Sequence, residues 1–190
     1  SIGCHTLIHL LHSTDWTITG IDSFRHKGLA SRVEKMMSYH PEYKGRVEII
    51  PHDLNYPMTQ TSPYHLAWKI RGSFDYVIAM ASLSDVHDSI LDPVPFVTNN
   101  VNVTLNTLEY VRQAKPKAFL LVSSDEVYGP TDGVTLHKEW DPIVPSNPYS
   151  SSKAAQESLA ISHWRSYDVP LILCNLMNNF SEMQSPAKFP

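Results

Sequence analysis

The 190 residues are 42% hydrophobic and 18% charged, proportions that suit a folded globular chain and exclude a disordered or fibrous one. A formal net charge of -4 with no run of Lys or Arg excludes the basic footprint of a nucleic-acid or membrane-surface binder, so no nucleic acid and no membrane is expected as a partner. No apolar stretch approaches the roughly 20 residues of a membrane span, and the length suits one well-buried domain over 1–190.

In chain order, a helix is expected at 4–12, a strand at 17–21, a helix at 28–39, a strand at 47–50 and a helix at 64–70. A strand at 75–80, a long helix at 94–114, a strand at 118–123, a helix at 149–167 and a strand at 171–175 follow. Short β-branched runs alternating with helical periodicity predict an α/β fold, a doubly wound, Rossmann-like parallel sheet. Such a sheet ordinarily opens on a strand and runs on past its fifth strand. This chain opens on a helix and stops at Pro190, so its first strand is expected to be missing and a C-terminal substrate domain absent. The segment 130–148, rich in Pro, Asp and Thr, reads as a surface loop.

Cys4 and Cys174 lie far apart, form no C-x-x-C pair and sit in apolar surroundings, which fits buried thiols in a reducing, cytoplasmic setting. The ten histidines include no His-Glu-x-x-His, and no metal is expected.

Two segments carry chemistry. Ser123-Ser124-Asp125-Glu126-Val127-Tyr128-Gly129 ends an apolar strand, and ligands of parallel sheets sit beyond the carboxyl ends of the strands. Asn147-Pro148-Tyr149-Ser150-Ser151-Ser152-Lys153 starts a helix and puts Tyr149 and Lys153 four apart on one face. An ammonium there is expected to lower the phenol pKa from about 10 and make Tyr149 a usable base. The plainer alternatives are a helix-surface pair for Tyr149 and Lys153 and a solvated turn for Asp125 and Glu126.

Together these segments resemble the extended short-chain dehydrogenases/reductases, the NAD-dependent epimerase/dehydratase family, and within it the nucleoside-diphosphate-glucose 4,6-dehydratases such as those acting on dTDP-glucose. Three further stretches match in order: FDYVIAMASLSDVHDSI at 74–90, FVTNNVNVT at 96–104 and CNLMNNFSEMQSPAKFP at 174–190. The resemblance implies NAD as cofactor, a nucleotide sugar as substrate and a homodimer through the helices at 94–114 and 149–167. It implies cofactor contacts at Ile2 and Gly3, the last glycine of the phosphate loop, and at Asp22, whose carboxylate would hold the adenosine ribose and reject a 2′-phosphate. Further cofactor contacts fall at Asp53 and Leu54 by the adenine, at Met80, Ala81, Ser82, Ser84 and Asn99, and at Tyr149 and Lys153. Ser84, Ser124, Asn175 and Asn179 would touch substrate.

In the implied reaction Tyr149 removes the C4 hydroxyl proton while hydride leaves for NAD, and Ser124 orients that oxygen. Glu126 then takes the C5 proton and a protonated Asp125 releases the C6 hydroxyl as water. The adjacent acids favour a dehydratase over an epimerase, decarboxylase or reductase using the same tyrosine; a non-catalytic NAD-binding module is the remaining alternative. Asp22 could instead be a cap or turn acid, Gly3 could merely close a helix–strand contact, and Asn175 and Asn179 could cap a turn. Five positions depart from the family pattern. Asp85 and Asp88 stand near where Arg or His is usual, and would repel a phosphate if they faced it. Asn99 and Val103 replace a typical Thr and Gly, and Ser181 replaces a glycine.

Overall fold

Among the described residues apolar and β-branched runs form five strands: β1 Ile18–Asp22, β2 Val47–Pro51, β3 Tyr76–Ala79, β4 Ala118–Ser124 and β5 Leu171–Leu176. Among the described residues five helices accompany them: α1 Ile2–Ser13, α2 Ala30–Ser38, α3 Val86–Leu91, α4 Pro93–Ala114 and α5 Pro148–Tyr167. The computed structural model describes residues 2–25, 30–58, 74–180, 182 and 184; the helix expected at 64–70, the first residues of that at 28–39 and Ser181 lie outside them. All pairings are parallel, as the alternation predicts, and the strands make two sheets, of order β1-β2 and β3-β4-β5. Strand ends agree with expectation to within two residues. The short helix α3 and a 3-10 turn at Pro41–Arg46 were not expected, since neither is long enough to show a helical period.

The chain divides into two compact units, 1–53 with 178–190, and 54–177. In the first, α1 brings Leu7, Ile8 and Leu11 onto one face, where they pack with Met36 of α2 and with Ile18, Val47 and Ile49 of the strands. The last turn of α1 leaves carbonyls without helical partners, and Arg46 takes up this end. Its guanidinium donates to the carbonyls of Leu11 at 3.2 Å, Thr14 at 2.6 Å and Trp16 at 2.9 Å.

In the second unit, α4 and α5 pack with β4 around Leu108, Val111, Phe119, Leu121, Ala160 and Val169. Both helices close on a left-handed residue, Lys115 and Asp168, whose N–H groups return to the carbonyls of Val111 and Trp164. α5 opens with a capping box: Asn147 accepts the Ser150 N–H at 2.8 Å while Ser150 Oγ accepts the Asn147 N–H at 3.1 Å, and Pro148 occupies the first turn.

Candidate active site

The site in the second unit is assembled from the end of β4 and the start of α5. Ser124 closes β4 and caps the single 3-10 turn Asp125–Tyr128, its Oγ accepting the Glu126 N–H at 3.3 Å. Gly129 ends that turn at φ +83°, where a Cβ would stand 2.5 Å from the Val144 carbonyl oxygen. The Val144 N–H donates to Val127 O at 2.9 Å and pins the returning loop. Asp125 and Glu126 are thereby fixed at the strand end. With Gly129, Pro130, Thr131, His137 and Ser146 they line an open cleft of about 350 Å³.

The start of α5 supplies the phenol and the amine. Tyr149 is 9% exposed, its N–H donates to Ser89 Oγ of α3 at 3.1 Å, and its phenol lies beside Ser124, whose Oγ donates to Asp125 Oδ1 at 3.4 Å. Lys153 is 3% exposed, and its Nζ donates to Val122 O of β4 at 2.8 Å. Neither is the exposed surface pair of the plainer alternative.

Their electrostatics correct one expectation. Burial pushes the Tyr149 phenol above its usual pKa, Ser124 draws it part of the way back, and the charges of Glu126 and Asp125 push it up again. Lys153 is not among the groups that lower it. Burial instead pulls the Lys153 ammonium down to about 8, opposed by the charge of Glu157. The four-residue spacing gives a shared face but not depth, and at this depth desolvation outweighs the attraction expected between phenolate and ammonium.

Three residues given no role in the sequence reading hold this arrangement. Asn147 joins cap and site, its Nδ2 donating to Glu126 Oε2 at 3.1 Å. Asn100 of α4 is fully buried. Its Nδ2 donates to Leu83 O at 3.0 Å and Ser152 Oγ at 2.8 Å, and its Oδ1 accepts from Leu83 N at 2.7 Å and Asn99 Nδ2 at 3.0 Å. Glu157 of α5, 4% exposed, accepts from Ser123 Oγ and from Asn175 Nδ2, the latter at 2.7 Å. The available signals were a polar residue on the inward face of α4 and an acid four residues after Lys153.

The other candidate residues divide between the units. In the second, Met80, Ala81, Ser82 and Ser84 form the loop leaving β3, Ser82 Oγ donating to Leu83 O at 3.0 Å. Asn99 Oδ1 accepts from Asn55 Nδ2 at 2.8 Å, and Leu54 O accepts from Asn106 Nδ2 at 2.9 Å. The Asn175 amide also reaches Ser124 O at 3.3 Å, so its donor is turned toward the protein. Asp85 is the N-cap of α3, its Oδ1 accepting the Asp88 N–H at 3.1 Å.

In the first unit Ile2, Gly3, Asp22 and Asn179 are exposed. A Cβ at Gly3 would meet nothing within 4 Å, so among the described residues no helix–strand contact requires that glycine. Asp22 Oδ1 accepts the Phe24 N–H at 2.8 Å, and the Asp53 carboxylate pairs with Arg25.

A family model described as GDP-mannose 4,6 dehydratase matches residues 1–190. A probable dTDP-glucose 4,6-dehydratase of Sinorhizobium fredii is 41% identical over 123 residues, 60% of this chain and 35% of that protein. The crystal structure of a dTDP-glucose 4,6-dehydratase from Streptomyces venezuelae, with NAD and TYD bound, superposes with a TM-score of 0.85 at 26% identity, over 98% of this chain and 55% of that one. A UDP-glucuronic acid 4-epimerase from Bacillus cereus, solved with UDP-glucuronic acid and NAD, gives 0.74 at 27% identity, over 92% of this chain and 52% of that one. The chain spans between about a third and just over half the length of these relatives.

Proposed function

This chain belongs to the GDP-mannose 4,6-dehydratase family, and from that premise we propose that it serves an NAD-dependent nucleotide-sugar 4,6-dehydratase, a lyase turning an NDP-hexose into its 4-keto-6-deoxy form. One observation carries the proposal: a buried tyrosine beside Ser124 neighbours two consecutive carboxylic acids that line a cleft. Reductases and epimerases need the tyrosine but not a second acid and base.

The residues present fit NAD. An uncrowded Gly3 at the N-terminus of α1 suits a pyrophosphate, where helix N–H groups face an anion. The exposed Asp22 carboxylate suits the adenosine ribose hydroxyls, and Asp53 and Leu54 would flank the adenine. The loop Met80, Ala81, Ser82 and Ser84, with Asn99, would line the nicotinamide side. Held by these residues, NAD would supply reversible hydride transfer, from C4 and back to C6.

The chain's own residues move the protons. Ser124 orients the C4 oxygen and Tyr149 takes its proton. Lys153 supplies a positive charge at the base of the site. Once C4 is a ketone the C5 proton is acidic, and Glu126, steadied by Asn147, removes it and gives a proton back to C5 when hydride reaches C6. Asp125 gives a proton to the departing C6 hydroxyl, so water leaves. Ser84, Asn175 and Asn179 are the remaining proposed substrate contacts; Asn175 has its carbonyl oxygen to offer, because its amide donor is engaged.

We further propose a homodimer through α4 and α5, along which Val94, Val97, Leu105, Trp164 and Tyr167 are exposed, and a cytoplasmic setting. Among the described residues no helix is long and apolar enough to cross a membrane.

Incubation of the full-length protein with NAD and dTDP-glucose should yield a 4-keto sugar, read by its alkaline absorbance; no product from any nucleotide-glucose would overturn the assignment. The likeness to the 4-epimerase supports a second reading, C4 inversion. Asp125→Asn separates them, since a dehydratase variant keeps C4 oxidation and loses water elimination, whereas an epimerase keeps full turnover.

A further inference from the structure

Lys153 and Glu157 stand one turn apart on the inward face of α5, both nearly sealed from solvent, and their head groups meet consecutive residues of β4. Lys153 Nζ donates to the Val122 carbonyl at 2.8 Å, while Glu157 Oε1 accepts from Ser123 Oγ and from Asn175 Nδ2 at 2.7 Å. The donors around the carboxylate are neutral. The hydroxyl and the amide orient it without cancelling its charge, and an uncancelled buried anion raises proton affinity at a neighbouring amine.

We propose that Glu157 is a positioning residue that keeps Lys153 charged, with Ser123 and Asn175 serving to aim the Glu157 carboxylate. This deepens the dehydratase function and rests on it for its catalytic meaning. Burial pulls the Lys153 ammonium down and pushes the Glu157 carboxyl up; the charge of Glu157 opposes the first shift, and Ser123, Asn175 and the charge of Lys153 oppose the second. Val122 and Ser123 of β4, Asn175 of β5 and the phenol of Tyr128 in the 3-10 turn surround the pair. Glu109 of α4 pairs instead with His163 and Arg112, so among the described groups it offers Lys153 no competing carboxylate. Asn175 thus has a role toward the protein independent of any sugar.

The test is a titration of Lys153 followed by NMR in the full chain labelled with ¹³C at lysine Cε, free of substrate. Glu157→Gln keeps an oxygen to accept from Ser123 and Asn175 but removes the charge. The Lys153 midpoint should fall by about one pH unit; an unchanged midpoint in a folded Glu157→Gln protein overturns the proposal. A purely structural role would alter melting without moving the midpoint. Should Glu157→Gln fail to fold, Lys153→Met supplies the reciprocal measurement, since coupling works both ways. The Glu157 carboxyl midpoint must then rise. In the unsubstituted chain the Glu157 signal must also inflect as Lys153 titrates, and its absence overturns the proposal without any variant. Turnover is scored separately: coupling without 4-keto product would sink the dehydratase assignment alone, and product without coupling would sink this proposal alone.

Discussion

The amide nitrogen of Asn147 lies 3.1 Å from Glu126 Oε2 although 21 positions separate them, and the same side chain caps α5 through its Oδ1. Helix start and proposed base are therefore set by one residue. Asn147→Asp keeps the capping acceptor but turns the donor into a like charge facing Glu126. Melting should change by less than ~1 kcal/mol, whereas elimination should slow at least about tenfold, ~1.4 kcal/mol in barrier. C4 oxidation, followed by transient NADH absorbance, should be spared. Equal loss in both steps would refute this division.

Ser124 is the one group that draws the Tyr149 phenol down against burial and the two neighbouring acids. In Ser124→Ala that pull is gone, so the Tyr149 ionisation should move to higher pH. Phenolate absorbance read against Tyr149→Phe as a blank measures the shift. The rising limb of turnover with pH should move the same way; movement to lower pH would contradict the assigned contact.

The buried Tyr110 hydroxyl has no hydrogen-bond partner among the described residues, and burial pushes its pKa up to about 12. The unfolded chain loses this proton near 10, so between the two values the folded state holds more protons and stability falls as pH rises. Tyr110→Phe should remove that contribution to the alkaline slope. At neutral pH it should cost under ~1 kcal/mol or stabilise, because the deleted hydroxyl is unpaired. Urea unfolding at neutral and alkaline pH decides it.

Gly129 combines a left-handed φ of +83° with a Cβ position 2.5 Å from a backbone oxygen. Gly129→Ala should lose about 1 to 3 kcal/mol, the scale of local backbone strain, visible as a lower melting temperature. Because the turn it closes carries Asp125 and Glu126, elimination should suffer with it. A variant that melts like the parent would show that Val144 moves aside freely.

The strands, α1, α4 and α5 were legible because each leaves a local pattern: runs such as Phe119-Leu120-Leu121-Val122, or Pro148 after Asn147 at a helix start. The direction of Asp85 was not legible because charge along a sequence says nothing of direction; its carboxylate accepts the Asp88 N–H, a short-range contact within its own helix start. The link from Glu157 to Asn175 spans 18 positions and two elements, beyond the reach of periodicity. The Tyr149–Lys153 expectation failed on a different ground. A helical period places both on one face, but the sign of their pKa shifts follows from how far that face sinks into the protein.

Asn100 sits with no exposure and both ends of its amide occupied, gripping the Leu83 peptide from either side and reaching the Ser152 hydroxyl, which donates to Tyr149 O at 2.6 Å. Such a position demands a side chain that gives and takes at once. Aspartate offers only acceptors, leucine offers neither, and glutamine carries the group one carbon too far. The vocabulary at this point of α4 has shrunk to a single word, and whatever sequence drift the surface tolerates, the β3 loop and the tyrosine helix stay in mutual register only while that word is kept.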